Sequence, residues 1–159
     1  MIRPAKFVDV PELERLLHGA HARSKYAKVC GISGKALNQM LTGLVAAQNQ
    51  NGPGATFLVV SERMGKIVGF MAAMLNRVYN IGDKLVATDL FLINDAHNPS
   101  ETKRMIDAYM DWAEANPKVV EIGLSWSDTM PRGKDAAKLY ARRGFNKVGE
   151  SYALVVQNV

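Results

Sequence analysis

The chain has 159 residues, a formal net charge of +5 and 48% hydrophobic residues, which allows one buried core and is too short for two ordinary domains. We therefore predict a single domain over residues 1–159. Because no apolar run reaches the roughly 18 residues of a membrane helix, and because charges and a proline interrupt residues 3–6, we expect a cytoplasmic protein without membrane contact.

Hydrophobic periodicity predicts a mixed α/β chain. The predicted elements are a strand at 2–8, a helix from Asp9, a loop at 22–32, a helix at 34–50, strands at 56–60, 67–74 and 84–93, a helix at 100–115, a strand at 119–124, a helix at 134–143, and two short strands within 145–156. The order is β-α-α-β-β-β-α-β-α-β-β, which is typical of a mainly antiparallel central sheet flanked by helices.

Residues 84–124 form a predicted strand-helix-strand unit. In such a unit the ligand usually lies at the carboxyl end of the first strand, against the helix N-terminus. We therefore expect a ligand site at residues 93–102.

Cysteine usage and charge add two expectations. The single cysteine, Cys30, cannot form an internal disulfide, has no neighbouring ligands for a metal, and is predicted to be a small buried side chain. The basic charge allows nucleic acid or an acidic protein as a partner. The cations are spread along the chain, however, and the local cluster at 138–143 falls on a predicted helix, where a solvated face is usual.

Two segments resemble the GNAT superfamily of N-acetyltransferases. Residues 136–149 are similar to the pattern A-x-x-L-Y-x-x-x-G-F-x-x-x-G of the family's last helix and strand, and residues 90–95 with the helix ending Trp112-Ala113 are similar to its cofactor strand and helix. The resemblance spans nearly the whole chain and implies a GNAT-like fold, with acetyl-CoA as cosubstrate and a small-molecule or protein amine as acceptor. Exposed C-terminal edge strands often pair in that family, so a homodimer is a further expectation.

By the same resemblance, acetyl-CoA would contact the fourth strand and the start of the helix that follows it. The residues at these positions are Phe91, Leu92, Ile93, His97, Asn98, Pro99, Ser100, Glu101, Thr102 and Lys103. The family's loop pattern Q/R-x-x-G-x-G/A, which lets backbone N–H groups converge on the pyrophosphate, is altered here because Ser100 and Thr102 replace both glycines. Glu101 adds a negative charge close to the expected phosphates, whereas serine and threonine hydroxyls can donate to phosphate.

Acyl transfer from a thioester needs an acid for the leaving thiolate and a neutral amine. The resemblance makes Tyr140 the candidate acid, with core packing of its ring as the alternative. Asp89, the one acidic residue within 84–93, is the candidate base, with structural hydrogen bonding as the alternative. The family often has a glutamate one position earlier, at Thr88, and such a shift changes the face of a strand unless a bulge intervenes. The reserve candidates for base or water chain are Glu121, Ser125, Ser127 and Asp128.

For acceptor recognition, the resemblance implies the first two helices with their loop, and the turn between the third and fourth strands. We therefore predict substrate contacts at Tyr26, Tyr79, Asn80 and Ser125, and no metal site. Two functions stay open. Tyr140 favours an acetyltransferase that acts by direct attack in a ternary complex. The altered loop and the basic charge favour a catalytically weakened binding module for an acidic protein or nucleic acid.

Overall fold

The structure is a computed structural model that describes residues 1–96 and 98–156. Its strands form one sheet in sequence order: β1 (Ile2–Pro4), β2 (Thr56–Arg63), β3 (Lys66–Arg77), β4 (Leu85–Asn94) and β5 (Val119–Ile122). The pairs from β1 to β4 are antiparallel, and β4 and β5 are parallel. The helices are α1 (Val10–Arg23), α2 (Gly34–Ala46), α3 (Pro99–Glu114) and α4 (Asp135–Arg142). None of the helices in these ranges is long and apolar enough to cross a bilayer.

Helices cover both faces of the sheet because the inner strands are apolar on both sides. On β2, Leu58 and Val60 pack with α1 and α2, whereas Phe57 and Val59 pack with α3 and α4. Successive side chains on a strand point to opposite faces, so an unbroken apolar run such as this one is the signature of a strand buried on both sides.

A two-residue turn joins β2 to β3. Arg63 pairs with Lys66, and the residues between them, Met64 and Gly65, have φ values of 51° and 76°. Two positive φ values match the tight hairpin turn whose twist agrees with that of the flanking strands. Glycine takes this conformation readily, and Met64 takes it with its side chain fully in solvent.

β4 carries a bulge at Leu90. Ala72 of β3 pairs with Phe91 and Ala73 pairs with Asp89, so Leu90 is the extra residue. Asp89 remains on the α3 and α4 side together with Ala87, whereas Leu90 and Phe91 both turn toward α2. The bulge therefore separates an acidic side chain on one face from an apolar pair on the other.

The sheet opens between β4 and β5. Their pairing ends at Ala87 with Ile122, and the last hydrogen bond runs from the Gly123 N–H to the Ala87 carbonyl at 2.8 Å. In the described part of the chain, no strand pairs with this edge of β4 beyond Ala87, so its backbone faces a cleft.

The predicted mixed α/β fold with a mainly antiparallel sheet is confirmed, and the order of elements agrees as far as α4. The two strands predicted within 145–156 are wrong, because those residues have no regular structure and none of them pairs with β5. An alternating apolar pattern indicates only a propensity for strand. A strand also needs a neighbouring strand edge that forms hydrogen bonds with its N–H and C=O groups.

Three smaller expectations also fail. The first strand ends at Pro4, since a short 3-10 turn at Phe7–Asp9 follows it. The helix predicted from Asp9 begins at Val10, and the Asp9 carboxylate accepts the Lys6 N–H at 2.8 Å and pairs with the Arg3 guanidinium. Cys30 is exposed, because it lies in the loop after α1 and not on an apolar face.

Candidate active site

Three predicted residues meet beside the cleft. The Tyr140 hydroxyl, on α4, donates to the Ser125 carbonyl at 2.9 Å. The Asp89 carboxylate, on β4, accepts the Ser125 N–H at 3.2 Å and the Ser125 Oγ–H at 3.0 Å. Ser125 therefore links the acidic side chain of β4 to the phenol of α4, just beyond the point where β4 and β5 separate.

The surroundings favour the protonated form of the phenol. Burial first, and the charge of Asp89 second, raise the pKa of the Tyr140 hydroxyl to about 12. Burial also raises the pKa of the Asp89 carboxyl, while the hydrogen bonds from Ser125 act in the opposite direction. At neutral pH Tyr140 thus holds its proton, as a general acid must before it donates.

A glycine allows the loop after β5 to close over this cluster. A Cβ at Gly133 would lie 2.1 Å from the Ser127 carbonyl oxygen, so only glycine fits this close approach. The Lys25 N–H donates to the Thr129 carbonyl at 2.9 Å, which ties the loop after α1 to the same segment. Both contacts restrain the loop that carries Ser125.

The α3 N-terminus is capped by side chains. The Asn98 Oδ1 accepts the Ser100 N–H at 3.0 Å and the Ser100 Oγ–H at 2.8 Å. The Asn94 amide donates to the Thr102 Oγ1 at 2.9 Å and to the Asn98 carbonyl at 2.8 Å. Both residues that replace the family glycines are therefore engaged within the chain, and a phosphate would have to displace the Asn98 cap to reach the Ser100 N–H.

Glu101 points away from the expected phosphates. It is 4% exposed, and its carboxylate accepts the Ser61 Oγ–H of β2 at 2.6 Å. The Arg104 guanidinium lies 3.8 Å from its second oxygen. The Ser61 hydrogen bond lowers the pKa of this carboxyl, with a smaller contribution from Arg104. The negative charge is thus satisfied inside the protein, which weakens its repulsion of a phosphate at the helix end.

The Ser61–Glu101 contact gives a pH-dependent prediction. We expect Glu101→Gln to lower the free energy of unfolding by about 1–3 kcal/mol at pH 7, because the amide oxygen can still accept the buried Ser61 hydrogen bond but no longer carries the charge that strengthens it. The pKa of this carboxyl is lower in the folded chain than its ordinary value of 4.5. At a pH between the folded and the ordinary pKa, the unfolded chain therefore binds more protons than the folded chain. Wild-type stability should therefore fall as the pH drops through the folded pKa, and the difference from the variant should shrink.

Urea unfolding of both proteins between pH 3 and pH 7 measures this effect. Glu114→Gln, at an exposed position near the end of the same helix, is the matched control and should change stability little. A pH-independent difference between wild type and Glu101→Gln would contradict the assignment.

We compared the sequence and the fold with those of known proteins. No family model matches the chain, and no curated protein matches it in sequence. Solved structures do match, over nearly the whole length. A transcriptional regulator from Bacillus halodurans C-125 has a TM-score of 0.72 at 16% identity, covering 98% of this chain and 99% of that one.

Two acetyltransferases are also similar over nearly the whole chain, with lower TM-scores. A ribosomal-protein-alanine N-acetyltransferase from Brucella melitensis biovar Abortus 2308 has a TM-score of 0.66 at 18% identity, covering 99% of each chain. The aminoglycoside acetyltransferase meta-AAC0020 from an uncultured soil metagenomic sample, in complex with sisomicin, has a TM-score of 0.64 at 19% identity, covering 100% of this chain and 95% of that one. The chain has the GNAT fold. At these identities the likeness concerns the fold alone.

In this GNAT fold, the predicted cofactor residues occupy different environments. Phe91 and Ile93 pack on the α1 and α2 side, and Leu92 packs on the α3 and α4 side. Pro99 is the first residue of α3, and the Lys103 ammonium pairs with Asp107 one turn later at 3.4 Å. His97 lies outside the described residues.

The predicted acceptor residues do not converge on one point. Tyr26 lies in the loop after α1, with the Lys25 ammonium 5.2 Å from its ring centroid. Tyr79 and Asn80 lie in the turn between β3 and β4, with positive φ values of 53° and 63°, and Tyr79 is 90% exposed. Within residues 1–96 and 98–156, no hydrogen bond joins either one to the Tyr140 cluster, and no three metal-ligating side chains come together.

Sequence reasoning missed Asn94 and Ser61. Asn94 had a visible signal, because a polar run directly after a buried strand and before a helix is typical of capping residues. Ser61, in contrast, is a lone serine in an apolar strand, and its partner Glu101 lies 40 positions away. No local pattern indicates that pair.

Proposed function

We propose that this protein is an acetyl-CoA-dependent N-acetyltransferase that transfers the acetyl group to a primary amine by direct attack in a ternary complex. The observation that carries the proposal is the position of Tyr140: its ring is buried, and its hydroxyl donates to the Ser125 carbonyl beside the unpaired edge of β4. The GNAT fold supports it, since its neighbours include acetyltransferases for different amines.

The reaction needs one new bond and one broken bond. The neutral amine attacks the thioester carbonyl carbon to form the C–N bond, and the C–S bond then breaks. Tyr140 donates its proton to the leaving thiolate, the amine nitrogen loses a proton to solvent or to a base, and the tyrosinate then takes a proton from solvent, so that protons balance over the cycle. The hydrogen bond from Tyr140 to Ser125 holds the phenol in place, and Asp89 holds Ser125.

Asp89 is proposed as the base because of where its carboxylate lies. The competing role is structural: Asp89 would hold Ser125 in place and take no proton. Its carboxylate lies on the same side of β4 as Tyr140 and already accepts two hydrogen bonds. Asn at this position keeps an acceptor for Ser125 but cannot take a proton at neutral pH. Asp89→Asn therefore separates the two roles: a base predicts loss of kcat, and positioning predicts retained kcat.

Acetyl-CoA binding is supported by features of the α3 N-terminus. The helix dipole favours the pyrophosphate, and Lys103 and Arg104 lie within the first turn and a half of the helix. The Glu101 charge is turned toward Ser61. The Asn98 cap opposes binding, so we expect weaker affinity than a glycine loop would give.

The test is calorimetry with acetyl-CoA and with CoA, followed by detection of free thiol in the presence of primary amines. Binding at micromolar Kd, about −8 kcal/mol, with amine-dependent thiol release, would support the proposal. No binding at millimolar acetyl-CoA would overturn it.

The closed α3 N-terminus favours a second candidate: a GNAT-fold binding module for an acidic protein or nucleic acid. Ser100 and Thr102 are both engaged with neighbouring side chains, and the chain has a net charge of +5. In this case acetyl-CoA would not bind, and a polyanion would bind with strong salt dependence. Binding of acetyl-CoA and of a polyanion, measured on the same purified protein, distinguishes the two candidates.

A further inference from the structure

An apolar groove lies on the α2 side of β4, across the strand from Tyr140. It has a volume of about 510 Å³. Its apolar lining comes from α2, β3 and the β4 bulge: Met40, Gly43, Leu44, Met74, Leu90 and Phe91. Met40 and Met74 are partly exposed, and Leu90 is 42% exposed. Unbranched thioether side chains adapt to ligands of irregular shape.

The bulge in β4 lies next to both the groove and the Tyr140 cluster. Leu90 follows Asp89 directly and is the residue that the β3 ladder skips, and its side chain lines the groove while Asp89 lies on the Tyr140 side. The groove lies on one side of β4 and the Tyr140 hydroxyl on the other. An amine held in the groove would therefore lie on the face of β4 opposite Tyr140.

The charge of the lining restricts the acceptor. Among the described residues that line the groove, none is acidic, and its polar members are Gln39 and Thr56. The Thr56 hydroxyl donates to the Leu44 carbonyl at 2.5 Å, which leaves it little part in recognition. A polycation needs carboxylates to replace its hydration, and a chain with a net charge of +5 repels it at long range.

We propose that the acceptor is a monoamine carried on an apolar body, aryl or alkyl, and that this body occupies the groove between α2 and the β4 bulge. The inference rests on the proposed function and narrows its substrate class. It separates this chain from enzymes whose acceptors are polycationic, such as the similar aminoglycoside acetyltransferase.

Rates with two amines test the class. 2-Phenylethylamine represents apolar monoamines and spermidine represents polycations. At equal ionic strength we expect kcat/KM for 2-phenylethylamine to exceed that for spermidine by about 10-fold or more, since each tenfold step needs only ~1.4 kcal/mol of differential binding. A preference for spermidine would overturn the inference and leave the proposed function intact.

Gly43 offers a way to fill the groove without disturbing the fold. A Cβ at Gly43 meets no atom within 4 Å, and the residue lies inside α2, where leucine is a better helix former. Gly43→Leu should lower kcat/KM for 2-phenylethylamine by about 10-fold or more and leave acetyl-CoA affinity unchanged, with Gly43→Ala in between. Gly34→Leu, at the other end of α2 and equally free of clashes, is the matched control. Equal activity in Gly43→Leu and Gly34→Leu would overturn the inference.

Measuring amine binding directly, without acetyl-CoA, tests the groove assignment separately from the proposed function. NMR titration of the protein with 2-phenylethylamine, without acetyl-CoA, should show saturable binding that Gly43→Leu removes. If acetyl-CoA fails to bind while this amine binding persists, the proposed function fails and the groove assignment stands. If neither wild-type binding nor turnover is seen with this amine, the groove assignment fails.

Discussion

Replacing Tyr140 by phenylalanine is expected to lower kcat by about 10²–10⁴-fold, the range that general acid catalysis supplies. The phenylalanine ring keeps the packing in the core but has no proton for the leaving thiolate. Affinity for acetyl-CoA should be unchanged, because the hydroxyl contacts Ser125 rather than the expected phosphate end of the site. Single-turnover thiol release measures the chemical step, and calorimetry measures the affinity.

Tyr109→Phe is the matched control for this prediction. The Tyr109 hydroxyl donates to the Gly123 carbonyl at 2.9 Å, and its ring lies in the same core cluster as Tyr140. Each variant loses one hydrogen bond to a backbone carbonyl, so both should lose about 1 kcal/mol of stability. Only Tyr140→Phe should lose turnover. Similar rates in the two variants would remove Tyr140 from the mechanism.

Restoring glycine at positions 100 and 102 is expected to tighten binding of CoA by about 10-fold or more, since a hydrogen bond to a charged group contributes ~1.5–3 kcal/mol. Ser100→Gly removes the hydroxyl that donates to Asn98, and Thr102→Gly removes the acceptor of the Asn94 amide. The cap is loosened, and backbone N–H groups become available to the pyrophosphate. Calorimetry with CoA measures the change.

The two glycines also destabilise α3, and this effect needs its own control. Glycine in a helix is less stable than most residues by roughly 0.5–1 kcal/mol. Asp111→Gly, at an exposed position in the same helix, introduces one such glycine without touching the cap. Tighter CoA binding in the double variant alone supports the phosphate site, whereas unchanged or weaker binding would show that phosphates do not bind at this helix end.

The candidate site was partly predictable because some of its signals are local. The segment Leu139-Tyr140 with Gly144-Phe145 is contiguous, so it indicated both the last helix and its tyrosine. Asp89 was found as the one acidic residue in its strand, but the face on which it lies depends on the pairing of β3 with β4. The bulge at Leu90 is a property of that ladder and has no signature in β4 alone.

The phosphate loop stays a prediction, and the sequence did not indicate the contacts that its residues make. Ser100 and Thr102 were considered as hydroxyl donors to phosphate, and both are engaged with asparagine side chains instead. Glu101 was expected to repel phosphates, but β2 passes close enough for Ser61 to take its carboxylate inward. Such partners lie on other elements, so their effect on charge appears only when the chain folds.

The sequence by itself determined the order of elements as far as α4 and the tyrosine of that helix, because hydrophobic periodicity and a contiguous motif are encoded over short distances. The tertiary structure decided three further points: the link from Asp89 through Ser125 to Tyr140, the inward turn of Glu101, and the absence of strands in residues 145–156. Each depends on which residues meet across the fold, and pairing at long range is a property of the packed chain rather than of any one segment.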